Sequence, residues 1–185
     1  MLSRQLGSYE LRIVCCGRNG LARKCFYSFH YAPDNWRAST VRNIGSIEGN
    51  KPATDNDWES VTRGGEAAIK KWIADQMSGR SCTIVLVGSQ TANRKWINHE
   101  IIKSWDDGKG VVGIYVHGLK DSNSNTTAKG NNPFDYIGYG NTGKMLSSIV
   151  KCYDPQGADS KARYDWIASY LSDAVEEAVK IRNAN

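Results

Sequence analysis

Residues 81–87, SCTIVLV, form a short and nearly unbroken apolar run rich in β-branched side chains. Such a run predicts a strand covered on both faces inside a parallel sheet. It stops at Gly88 and Ser89, polar residues follow, and Ile97, Ile101, Ile102 and Trp105 then recur at helical spacing. A helix is therefore expected from near Thr91, with Ser89 or Thr91 as its N-cap. Asn93, Trp96 and Glu100 stand three and four positions apart, a spacing that puts an amide, an indole and a carboxylate on one helical face. That face lies just beyond the carboxyl end of a central strand, which is where open α/β sheets bind ligands.

The rest of the chain repeats the alternation. Strands are predicted at 24–29 (KCFYSF), weakly at 44–48, at 111–117 (VVGIYVH) and at 147–153 (SSIVKCY). Helical patterns occupy 33–43, a long stretch after TDNDW that ends at Gly79, and a C-terminal segment. In that last segment Trp166, Tyr170, Ala174 and Ala178 run beside Ile167, Leu171, Val175 and Val179. Residues 121–132 are polar and read as an exposed loop, after which NPFDY tucks two aromatics back. Strands alternating with helices indicate an α/β fold: a flavodoxin-like, doubly wound sheet of about five parallel strands flanked by helices. Residues 1–22 have weak periodicity and read as an N-terminal extension, with 23–185 as a single domain.

Charge and cysteines narrow the function. The chain of 185 residues carries a net charge of +5. Residues 1–25 hold Arg4, Arg12, Arg18, Arg23 and Lys24 against Glu10 alone. The remainder is nearly balanced, so no basic stripe supports a nucleic-acid footprint. No apolar run approaches membrane-spanning length. Cys15, Cys16, Cys25, Cys82 and Cys152 are odd in number and lack a Cys-x-x-Cys pair, which favours buried reduced thiols and a cytoplasmic location.

Familiar motifs weigh little here. Residues 138–143 spell G-x-G-x-x-G, but they follow NPFDYI rather than a strand, and Met145 stands where a P-loop needs a hydroxyl. A phosphoacceptor receiver needs acids at strand ends that here hold Gly88-Ser89 and Ser28-Phe29-His30. The loop after the first strand is equally poor for a flavin. His30 and His117 both fall at strand ends and could face one crevice, yet no further ligands at matching spacing complete a metal site. His30 either lines a polar pocket or bonds a backbone carbonyl.

In order along the chain, FYSFHY, RNIG, DNDWE, VLVGS, TANRKWINHE, GIYVHGLKD and KGNNPFDYIGY resemble a Toll/interleukin-1 receptor (TIR) domain. They are most similar to the TIR-like subgroup of the bacterial Thoeris antiphage system. The resemblance covers residues 24–139 and implies a TIR-like fold. It further implies NAD⁺ as substrate, no cofactor, and cleavage of the nicotinamide–ribose bond. Glu100, the acid of the W-x-x-x-E pattern, would be the catalytic residue. The product would be a cyclic ADP-ribose-type signal acting on a separate NAD⁺-consuming effector, with self-assembly expected. Ser28 and His30 would border the ribose and phosphates, Trp58 would stack on a base, and Asn93 with Arg94 would hold a phosphate. Trp96 either walls the pocket or supports its helix. The competing expectation is a non-catalytic TIR-like module that contacts a partner or senses a nucleotide.

Overall fold

The structure is a computed structural model describing residues 23–45, 47–49, 61–140 and 142–185. Its centre is the strand β3 (Cys82–Val87), buried at every position. This apolar run pairs in parallel on both sides, with β1 (Lys24–Phe29) and β4 (Gly110–Tyr115). A short β2 (Glu48–Gly49) flanks β1, and Cys152–Tyr153 flanks β4. Two further short strands, β5 (Gly138–Tyr139) and β6 (Lys144–Met145), form a separate antiparallel pair and make Cys152–Tyr153 the seventh strand, β7. The main sheet runs β2-β1-β3-β4-β7, all parallel. This is the flavodoxin-like order, and it reverses direction between β1 and β3.

Alternation along the strands deals side chains to two helical layers. One face of the sheet takes Cys25, Tyr27, Ile84, Leu86, Val112 and Ile114, packed against α1 (Tyr31–Arg42) and α4 (Ser160–Asn183). The other takes Phe26 against α2 (Gly65–Met77), and Val85, Val87 and Val111 against α3 (Lys95–Asp106). Ser28, two positions after Phe26, faces the α2 and α3 layer. Gly110 lets α4 approach β4: a Cβ there would lie 2.8 Å from the backbone nitrogen of Val179. The 24-residue α4 starts on Asp159, whose carboxylate accepts from the Ala162 amide at 2.8 Å.

Several boundaries differ from the sequence reading. α1 begins at Tyr31, and Pro33 fits its first turn because the missing amide hydrogen is not needed there. The weak second strand lies at Glu48–Gly49, with Ile44 and Ile47 buried ahead of it. β4 ends at Tyr115, so His117 lies beyond it. The last strand is only Cys152–Tyr153. Ahead of it, Leu146–Ser148 form a 3-10 turn that buries Leu146 and Val150, four apart, in place of alternate residues. On α4, Tyr170 is 52% exposed. It stacks on Trp166 at 4.8 Å outside the apolar band.

The polar stretch 121–132 is surface-exposed yet firmly tied down. Arg37, 1% exposed, donates to the carbonyls of Leu119 and Asn125 at 2.8 and 2.9 Å and pairs with Asp34 and Asp121. Of the two aromatics in NPFDY only Phe134 is buried, whereas Tyr136 is 46% exposed. Trp58 and residues 1–22 lie outside the described residues.

Candidate functional site

The β3–α3 connection sets where the site's helix begins. Thr91 is fully buried; its hydroxyl accepts from the Gly88 amide at 2.9 Å and faces the Leu86 carbonyl at 3.4 Å. It thus closes the turn after β3 instead of capping a helix. Asn93 has a φ of 62°, in the left-handed region that Asn tolerates better than most residues. α3 therefore starts at Lys95, with Arg94 at the N-cap position and no side-chain cap. Asn93 is consequently not on the helical face with Trp96 and Glu100. It is exposed just ahead of the helix.

Glu100 lies in the second turn of α3. Ser28 Oγ donates to its Oε2 at 2.5 Å, a contact that spans 72 residues of sequence and joins α3 to the end of β1. Since α3 follows β3, this bond crosses the point where the strand order reverses. Glu100 keeps part of its surface accessible, while the protein around its carboxyl is as dense as the interior. Burial pushes the carboxyl up from the ordinary 4.5 to about 7, and the Ser28 hydroxyl pulls the other way by stabilising the ionised form. The site thus holds a carboxyl group that exchanges its proton near neutrality.

Trp96 sits one turn earlier and packs against the cluster of Phe26, Ile69, Ile73 and Met77, beside Trp72. There it holds α3 against α2. His30, at the N-cap position of α1, has a half-buried ring whose Nδ1 is enclosed without a partner among the described residues. Burial, and then the nearby Arg94 guanidinium, lower its pKa, so the neutral ring can accept or donate a bond to a ligand. Arg94 is exposed and bonds the carbonyl and side chain of Gln90. His117 faces other groups: its charged neighbours are Asp154, Arg163 and Lys129. The two histidines do not form one crevice pair. Ser28, His30, Arg94 and Glu100 are the groups that the fold brings to the rim between β1 and β3.

Residues unnoticed in the sequence also shape this rim. Asp34 is fully buried with Oδ2 unpartnered, and its carboxyl occupies the space a Cβ on Gly88 would need, with Oδ2 at 2.0 Å from it. A Cβ on Gly130 would lie 2.1 Å from the Gly88 carbonyl oxygen. Three segments therefore converge on the end of β3 without room for an added methyl group. The signal was two glycines and an Asp-x-x-Arg pair in separate segments, which only contact could connect. A cavity of about 520 Å³ lined by Thr40, Lys120, Asp159, Ser160, Lys161 and Tyr164 lies at the start of α4. It shares no residue with the rim around Glu100.

Comparison with known proteins gives the lineage. The family model described as Thoeris protein ThsB, TIR-like domain, matches residues 26–121, just over half of the chain. A protein of Bacillus cereus (strain MSX-D12) carrying the name "Putative cyclic ADP-D-ribose synthase ThsB1" is 38% identical over 133 residues, which cover 68% of this chain and 69% of that protein. The matched span runs from within β1 past β4 and includes Ser28, Asn93, Trp96 and Glu100. The chain belongs to the TIR-like domain family of Thoeris ThsB proteins.

Proposed function

We propose that the protein is an NAD⁺ nucleosidase and cyclase that breaks the nicotinamide–ribose bond and closes ADP-ribose into a cyclic signalling nucleotide in antiphage defence. The observation that carries this reading is the Glu100 carboxyl at the sheet's switch point, bonded to Ser28 at 2.5 Å and shifted to about 7. The name of the Bacillus cereus relative points to the same product class.

The chemistry asks little of the protein beyond charge and placement. When the bond from ribose C1′ to the nicotinamide nitrogen breaks, its electron pair leaves with nicotinamide, which departs neutral. The ribose becomes oxocarbenium-like. An ionised Glu100 beside the ribose hydroxyls interacts more strongly as that positive charge develops, which is the differential binding that accelerates a reaction. Attack on C1′ by a nucleophile of the same ADP-ribose, a ring nitrogen of the adenine or a hydroxyl of the other ribose, closes the cycle with loss of a proton where a hydroxyl attacks, and attack by water gives linear ADP-ribose. Ser28 holds the carboxylate, His30 and Arg94 border the phosphates, Asn93 adds a donor at the start of α3, and Trp96 braces that helix. The chain works in the cytoplasm as a homo-oligomer, and its product acts on a separate effector that consumes NAD⁺. No helix among the described residues is long and apolar enough to cross a membrane.

The test is nicotinamide release from NAD⁺ by the purified full chain, with products identified by mass spectrometry. Glu100→Gln keeps the shape of the side chain and removes its charge; it is expected to lower the rate at least about 100-fold. Equal release by both proteins would overturn the assignment. A thermal shift with NAD⁺ but no products would support nucleotide sensing instead.

A further inference from the structure

The layer between β3 and α3 is apolar apart from two hydroxyls. Thr83 on β3 and Ser104, one turn beyond Glu100 on the inner side of α3, are both fully buried. Their oxygens are 2.6 Å apart, and Ser104 Oγ is 2.7 Å from the backbone carbonyl of Glu100. Ser104 donates to the Glu100 carbonyl, with Met77 Sδ at 3.7 Å as a weaker second acceptor, and with its proton so engaged Ser104 accepts from Thr83.

Such a pair is not required to hold an interface together. Replacing both partners of a buried hydrogen bond by apolar groups of the same shape is nearly neutral for stability. What hydroxyls supply is distance and direction. Oxygens at 2.6 Å stand closer than carbon atoms, which rest about 3.5–4.0 Å apart. A serine bond to the carbonyl four residues back also bends a helix locally. Here that bond is made at the backbone of Glu100 itself. β3 is in register with β1, with Thr83 opposite Phe26 and Val85 opposite Ser28, so seating α3 on Thr83 also seats it relative to Ser28.

We infer that Thr83 and Ser104 are positioning residues for Glu100, their hydroxyl chain fixing the height and tilt of α3 so that the carboxylate meets Ser28 Oγ. This rests on the reading of Glu100 as the catalytic acid. Neither hydroxyl touches the substrate. Their effect on the reaction passes through the Ser28–Glu100 bond, which is one of two influences on the carboxyl, burial being the other.

The experiment compares wild type, Thr83→Val with Ser104→Ala, and Thr83→Ser. The Glu100 carboxyl is titrated by carbon NMR without NAD⁺, and kcat and KM are measured in parallel. In the double variant the helix rides outward, the Ser28 bond lengthens and the titration midpoint moves up. The same displacement lowers kcat about ten- to 100-fold at nearly constant KM. Thr83→Ser keeps the hydroxyl and restores both. Ser104→Ala alone supplies the same titration should the double variant not fold. A Glu100 midpoint in the folded variants that coincides with wild type overturns the inference. Because the titration needs no substrate, that result stays distinct from a failure of the wild type to cleave NAD⁺.

Discussion

At the scale of the residue, the decisive quantity is the proton on Glu100. Its folded pKa of about 7 lies above the ordinary carboxylate value because burial penalises the charge. If the ionised form does the chemistry, the rate rises with pH through that value and levels off above it. Ser28→Ala removes a donor that favours the carboxylate, so the rising limb of the pH–rate profile is expected to move to higher pH. Stability runs in the opposite sense. Between the unfolded value near 4.5 and the folded value near 7, the native state binds more protons than the unfolded chain, so raising the pH costs stability until the group is fully ionised. The full penalty is about 3 kcal/mol. Glu100→Gln, never charged, should therefore melt several degrees above wild type near pH 8, with the gap closing near pH 5 in a thermal scan. A gap that stays constant with pH would show that the carboxyl is not held this way.

At the scale of the element, close approach of backbone to backbone decides where helices can lie. Gly110 is the point where α4 rests on β4, and an added methyl group would meet the backbone of Ala178 and Val179 at 2.8–2.9 Å. Backbone cannot rotate away as a side chain can. Gly110→Ala is expected to lower unfolding free energy by about 1–3 kcal/mol in urea titrations. Gly138→Ala, with nothing within 4 Å of the new atom, should stay close to wild type. The same logic separates readable element boundaries from unreadable ones. Periodicity located α3 well because Ile97, Ile101 and Trp105 share one buried face. Its start was hidden, because Thr91 has the chemistry of a cap but is used to close the turn after β3.

At the scale of the molecule, Arg37 couples the rim to the rest of the fold. Its guanidinium joins α1 to the segment after β4 through Leu119, Asp121 and Asn125, and pairs with a buried Asp34. Arg37→Met strands the Asp34 carboxyl and removes the donor to the carbonyls of Pro33, Leu119 and Asn125, with an expected loss of about 3–5 kcal/mol. Trypsin should then cut faster after Lys120 and Lys129, both exposed in the tethered segment. Adding Asp34→Asn should recover part of the loss, since the stranded charge is gone. Unfolding curves and timed digestion read both effects.

The chain by itself determined the strands, the helices and their parallel order, because hydrophobic period and β-branching act within a few residues. The run KCFYSF placed Ser28 near the end of β1, and the Trp-to-Glu spacing put Glu100 one turn beyond Trp96 on its helix. Nothing local joins residue 28 to residue 100, or Arg37 to Asn125. The first exists only once β1 and β3 lie side by side, and the second only once α1 lies against the segment after β4. Burial then raises the carboxyl's pKa and makes each hydrogen bond count, and so tertiary structure alone decided what Glu100 can do.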